Sequence, residues 1–141
     1  MFQDLETIQI TKQGVWLSNG EPITHGETLR GFKRHLGHDD QGYFIQIGVD
    51  FKRIDVEDTA YFVEQIFIFK SHIELRLSDE SQEFLDLKTL SYTPSRLICM
   101  IKGGKVPARF LPQPYHELLL QCEMEGTHHV LKVGSEKIDL G

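Results

Sequence analysis

The stretch Leu29-Arg30-Gly31-Phe32-Lys33-Arg34-His35-Leu36-Gly37-His38-Asp39-Asp40-Gln41-Gly42-Tyr43-Phe44-Ile45-Gln46-Ile47 changes its hydrophobic period once, and that change decides the fold. Leu29, Phe32 and Leu36 fall at i, i+3 and i+7, a single apolar stripe along a helix. Gly37 is placed to stop that helix, and Asp39-Asp40-Gln41-Gly42 reads as a turn. Beyond it Tyr43, Ile45 and Ile47 alternate with Phe44 and Gln46, the period of a strand with one face buried and one wet.

Toward the N-terminus, Thr24 with Glu27 three residues on has the reciprocal pattern of a capping box and predicts a helix over 25–36. Before it, Val15-Trp16-Leu17-Ser18-Asn19-Gly20-Glu21-Pro22-Ile23 reads as a hairpin, because Asn-Gly tolerates the positive φ angles of a type I′ turn. Toward the C-terminus the period stays at two. Ile54 and Val56 alternate with Arg53, Asp55 and Glu57, and Ile73, Leu75 and Leu77 alternate with Glu74 and Arg76. Phe62 to Phe69 is more continuously apolar, as in a strand covered on both faces. Phe84-Leu85-Asp86-Leu87 and Leu97 to Lys102 add two more strands, the second turning at Gly103-Gly104. Pro112 and Pro114 suit the first turn of a second helix, over 113–122, with Tyr115, Leu118, Leu119 and Cys122 on one face. His129 to Val133, a Gly134-Ser135 turn and Lys137 to Leu140 form a closing hairpin. The class expected is α+β, mainly antiparallel β with two short helices. Val15-Trp16-Leu17 with Gly20 and Ile23 echoes Val130-Leu131 with Gly134 and Ile138, which hints at two related halves. Their expected spans are 1–58 (hairpin, helix, strands) and 59–141 (antiparallel strands, helix, final hairpin).

At 141 residues, with 40% hydrophobic and 26% charged side chains, the chain suits one ordinary domain or two small ones and has enough apolar content for a core. Its net charge of −6 argues against a nucleic-acid polymer as partner. Cys99 and Cys122 sit in apolar runs, as buried free thiols do, and form no disulfide framework. The opening Met1-Phe2-Gln3-Asp4-Leu5-Glu6 carries acids where a signal peptide carries Lys or Arg, and no apolar run approaches the ~20 residues of a membrane span. The expected place is the cytoplasm, with no membrane partner.

Several catalytic motifs fail on counting. His116-Glu117-Leu118-Leu119-Leu120 opens like a helical zinc-protease motif, but its second histidine position is leucine. Gly103-Gly104-Lys105 is followed by Val106 where a P-loop needs Ser or Thr. Counted back from Gly42, a calcium loop places Gly37 and Gly48 at its first and twelfth positions, where carboxylates belong. His128 and His129 adjoin, so in a strand their rings face opposite ways. No metal and no cofactor is implied. Two polar features remain. Glu57-Asp58 is a carboxylate pair at the end of an alternating strand, or simply an acidic turn. Lys102, Lys105 and Arg109 form a basic stretch in an acidic protein: a solvated hairpin tip, or an anion site read by the forked donors of Arg109.

The chain as a whole resembles the bacterial family called domain of unknown function 1285. The likeness lies in the order and spacing of Gly14-Val15-Trp16, Gly20-Glu21-Pro22-Ile23, Asp39-Asp40-Gln41-Gly42-Tyr43 and Ile54-Asp55-Val56-Glu57-Asp58 with Tyr61-Phe62. It continues in Ala108-Arg109-Phe110, Tyr115-His116-Glu117-Leu118 and Ile138-Asp139-Leu140-Gly141. The chain departs from the family pattern at Ile47-Gly48-Val49-Asp50, where Thr-Pro-x-Glu is usual, and at Thr59-Ala60-Tyr61-Phe62, where Ala-Pro-Phe is usual. The resemblance implies a duplicated core, a C-terminal half loosely like a pleckstrin-homology domain, a nucleotide-like ligand between the halves and a signalling role. Together these point to a non-enzymatic ligand-binding module, with Arg109, Glu57, Asp58, Tyr115 and Glu117 as its convergent polar groups. A hydrolase using Glu117 or Glu57 as general base beside His116, and a purely structural interaction protein, are the alternatives.

Overall fold

The computed structural model describes residues 6–141. Most of the acidic opening, Met1 to Leu5, lies outside the described residues. The chain divides into two compact units, Met1–Ala60 and Tyr61–Gly141.

The first unit runs β1 (Ile8–Ile10), β2 (Trp16–Ser18), β3 (Glu21–Pro22), α1 (Gly26–Arg34), β4 (Leu36–Asp39), β5 (Gly42–Ile47), β6 (Asp50–Arg53) and β7 (Asp55–Val56). These strands form two sheets, ordered β3-β2-β1-β7 and β4-β5-β6. Asn19 and Gly20 join β2 to β3 with φ of 50° and 81°, the left-handed pair a type I′ turn requires. The helix begins one residue later than the capping pattern suggests. His25 is its N-cap, with Nδ1 accepting from the Thr28 amide at 3.2 Å, so an imidazole nitrogen does the work of a serine hydroxyl. Phe32 is the buried residue of α1, and its ring centroid lies 6.3 Å from that of Trp16.

Leu36 and Gly37 belong to β4 and not to the helix end, because residues 36–39 gain a full antiparallel ladder with β5. Gly37 lies opposite Phe44, and a Cβ built there would stand 2.6 Å from that ring. The ring covers the glycine and packs tilted against Phe51, centroids 5.0 Å apart, while the Arg53 guanidinium lies 5.5 Å from the Phe44 centroid. Arg53 in turn grips both oxygens of Asp39, at 2.7 and 3.0 Å. Gly37→Ala is expected to displace the Phe44 ring from this packing and to cost about 1–2 kcal/mol. The reading is a lower urea midpoint with an unchanged m-value.

The second unit runs β8 (Tyr61–Ile68), β9 (Ile73–Leu77), β10 (Gln82–Phe84), β11 (Ser91–Thr93), β12 (Arg96–Ile101), β13 (Val106–Phe110), α2 (Pro112–Leu120), β14 (Glu123–Glu125), β15 (His128–Val133) and β16 (Glu136–Asp139). Six strands form one sheet, β10-β9-β8-β13-β12-β11, and the last three form another, β14-β15-β16. Pairing is antiparallel except for β8 beside β13 and, in the first unit, β1 beside β7. The core of this unit is built from alternate residues: Leu97, Cys99 and Ile101 on β12, Ile73, Leu75 and Leu77 on β9, and Val106, Ala108 and Phe110 on β13.

Two apolar runs behave differently from their pattern. β8 is buried over Tyr61, Phe62 and Val63, but past a register shift at Val63/Gln65 it exposes Phe67 and Ile68, and Phe69 beyond its end is exposed as well. A bulge re-aims the strand beyond it, so a continuous apolar run is not covered along its whole length. Phe84 closes the short strand β10, and the chain then passes into a 3₁₀ turn, Leu87–Thr89, with the Asp86 carboxylate accepting from the Lys88 amide at 3.2 Å.

Candidate functional site

Of the residues singled out by sequence, Glu57 and Asp58 belong to the first unit, and Arg109, Tyr115 and Glu117 to the second. Glu57 leaves β7 with its amide donating to the Ile10 carbonyl at 3.0 Å, and its Oε2 accepts from the Lys12 amide at 2.7 Å. This carboxylate therefore ties the end of β7 to the loop after β1. It also lines a shallow groove of about 350 Å³ with Gln9, Thr11, Leu17 and Asp55. Asp58 is half-buried. Thr59 beside it is 1% exposed, and its hydroxyl makes no hydrogen bond with any described residue.

In the second unit Arg109 and Tyr115 come together on one residue. Arg109, on β13 opposite Ile98, donates from Nη2 to the Ser95 carbonyl at 3.5 Å. Tyr115, in the first half of α2, accepts at its hydroxyl from the Ser95 amide at 3.1 Å. Ser95 stands in the turn between β11 and β12 with φ 68°, a left-handed conformation that such bonds help to hold. Around this point aromatic rings gather. Tyr92 stacks on Tyr115 with centroids 6.4 Å apart and 24° between planes, and His129 of β15 stands 4.9 Å from Tyr92. His116 meets the edge of Tyr115 at 5.1 Å. A side-chain hydrogen bond with Tyr115, helped by burial, pushes the Tyr92 hydroxyl above its ordinary range.

The remaining candidates are local. Glu117 accepts from Gln113 Nε2 at 3.4 Å, one turn back on α2. His116 and Glu117 are consecutive on a helix, so their side chains diverge and do not face a common atom, which removes the geometry a paired acid and base would need. Lys102, from the basic stretch, bonds Asp79 at 2.8 Å and lies 5.1 Å from the Tyr61 ring centroid. Lys105 is exposed. Both cysteines are free, and burial, with the nearby Glu83 adding to it, pushes the Cys99 thiol up to about 12. Among the described residues no group of three or more His, Cys, Asp or Glu is placed to hold a metal ion. No described helix is long and apolar enough to cross a membrane.

What this face offers chemically is stacking surface beside a guanidinium. Sequence reasoning named Arg109 and Tyr115 but not Tyr92, Ser95 or His129, which arrive from β11, the following turn and β15. Only strand pairing brings them to α2, and no local motif marks them.

No family model matches the sequence, and no curated protein is similar to it. Among solved structures, a DUF1285 family protein from Silicibacter pomeroyi DSS-3 is similar over 94% of this chain and 78% of its own, with 14% identity and a TM-score of 0.73. A DUF1285 family protein from Shewanella baltica OS155 is similar over 82% of this chain and 91% of its own, with 18% identity and a TM-score of 0.63. At these identities the likeness is one of fold: this chain is built as the DUF1285 proteins are, the family that the order of its motifs resembles.

Proposed function

We propose that this protein is a non-enzymatic module of the cytoplasm that senses a small, nucleotide-like anionic ligand on the Arg109–Tyr115 face of its second unit. The reading rests on one observation: Arg109 and Tyr115 meet at Ser95 within a cluster of rings formed by Tyr92, His116 and His129. Rings at a surface stack on a base, and a guanidinium beside them suits the phosphate of the same molecule. Glu57 and Asp58 are not needed for it.

Titration with nucleoside monophosphates, the matching nucleosides and inorganic phosphate tests it, with melting temperature and amide chemical shifts as readouts. The monophosphates are expected to raise the melting temperature and to shift the amides of residues 92–95 and 115–117. Arg109→Ala is expected to weaken the monophosphate by about 1.5–3 kcal/mol, the worth of a charge-assisted bond, and to leave the nucleoside nearly unaffected. Arg109→Lys recovers only part of that loss, because the ammonium lacks the planar fork. A protein whose melting temperature and spectrum ignore every nucleotide at millimolar concentration does not have this function.

A further inference from the structure

A second cavity of about 350 Å³ opens elsewhere in the second unit and shares no lining residue with the Arg109 face. Its walls come from three segments. The loop between β8 and β9 brings Ser71 and His72, the end of β10 with the following residues brings Phe84, Leu85 and Leu87, and the β15–β16 hairpin brings Val133 and Glu136. Gly134, at φ 58°, lets the hairpin turn close on the loop: a Cβ there would stand 3.3 Å from the Ser71 backbone.

The floor is apolar, since Ile73, Leu85, Leu87 and Val133 are all buried. The rim is aromatic and acidic. Phe69, His72 and Phe84 form a stack with centroids 4.8 and 4.4 Å apart, and Phe84, at its end, is 63% exposed. His72 is fixed within the stack by Ser71 Oγ at 3.0 Å from Nδ1 and by Glu74 at 3.4 Å from Nε2. The exposed Glu136 carboxylate has no hydrogen bond or ion pair with any described residue, and no Lys or Arg lines the cavity.

This combination selects a ligand class. An anion would meet a carboxylate and no cation. A hard metal ion needs several oxygen ligands, and one carboxylate with one hydroxyl is too few. An organic cation is satisfied by an aromatic face together with a carboxylate, and its apolar part by the floor. We propose that this cavity binds a small organic ammonium ion, with the charged head between the Phe84 ring and Glu136 and the apolar body on Leu85, Leu87 and Val133. The site is independent of the nucleotide reading and stands or falls separately.

Benzyltrimethylammonium is the probe, and benzenesulfonate, of similar size and opposite charge, is the control. In amide-resolved NMR titrations of the whole chain the cation is expected to shift Ser71, Ile73, Leu85, Val133 and Glu136 saturably, while benzenesulfonate shifts none of them. Glu136→Gln removes one charge from an exposed side chain, so it should keep the wild-type melting temperature and bind the cation about three- to fivefold more weakly. Phe84→Leu keeps the apolar bulk without the ring face and should also weaken the cation. Equal binding of the sulfonate, unchanged affinity in Glu136→Gln, or no saturable shift at millimolar cation overturns the proposal.

Discussion

Lys102→Met is expected to remove about 2 kcal/mol of folding stability, less than breaking a fully buried ion pair costs, because the Lys102 side chain keeps 26% of its surface exposed. At this chain length that is roughly 7 °C in melting temperature. The reason lies in what the lysine leaves behind. Its Nζ donates to Asp79 Oδ2 at 2.8 Å and lies 5.1 Å from the Tyr61 ring centroid, while its own amide is held by the Glu83 carboxylate at 3.0 and 3.2 Å. The Asp79 side chain is only 11% exposed, so without Lys102 a carboxylate sits in a poorly solvated place with Ser81 alone for support. Burial pushes the Asp79 carboxyl up, but the bonds from Lys102 and Ser81 outweigh it and hold the group below its usual 3.8. A carboxyl depressed in the folded state contributes stability above its unfolded value and loses it as pH falls through the folded value. The wild type should therefore lose this part of its stability below about pH 4, and Lys102→Met should flatten that part of the acid limb. Urea midpoints at neutral and at about pH 3 measure both effects. The double variant Asp79→Leu with Lys102→Met should regain most of the loss, since a well-packed apolar pair replaces a buried ionic one at little cost. A loss under about 1 kcal/mol in the single variant would show that solvent already screens the pair.

That ion pair also marks how far the sequence can be read. Lys102 stands out locally as one cation in a basic stretch, and an anion site or a solvated tip are the two readings its neighbours allow. Its partner is 23 positions away, on the far side of two strands, and nothing in the local pattern points there. The same distinction separates what was legible in the fold from what was not. Alternation at period two located β5 and β9, and Asn19-Gly20 and Gly134-Ser135 located two hairpin turns, because those signals depend on the chain's own backbone. The two helices were placed to within two residues. Leu36 and Gly37 were misplaced because β5 competes for them, and a ladder of four residue pairs outweighs a last helical turn. The parallel pairing of β8 with β13 joins residues about 47 positions apart in sequence, which periodicity cannot register. At the candidate site, Arg109 was visible as a group suited to an anion, and Tyr115 only as one of several polar groups. Their meeting at Ser95 depends on the β11–β12 turn reaching α2, a tertiary fact.

Leu118→Ala is expected to cost about 3–4 kcal/mol, whereas Leu120→Ala, two residues on, should change stability by less than about 0.5. Composition treats the three leucines Leu118-Leu119-Leu120 alike, but burial does not. Leu118 is fully buried and Leu120 is 82% exposed. The helix they belong to has little stability of its own. It is nine residues long, Leu111 at its N-cap offers no side-chain bond, and its buried residues are Pro114 and Leu118. So short a helix is marginal in isolation and persists because its apolar face is packed, here against β8 and β13. Truncating Leu118 removes that anchor and leaves a cavity under the last turn of the helix. The consequence reaches the site, because Tyr115 lies one turn earlier on the same helix and holds Ser95 through its hydroxyl. Leu118→Ala should therefore speed amide exchange along α2 and at Ser95 and, on the proposed reading, weaken any nucleoside monophosphate affinity even under conditions where the variant stays folded. Leu120→Ala should leave exchange and binding at wild-type values. Unchanged exchange along α2 in Leu118→Ala would mean that the Pro-started first turn and Pro114 hold the helix without the leucine, and that Tyr115 is positioned by the β11–β12 turn it grips.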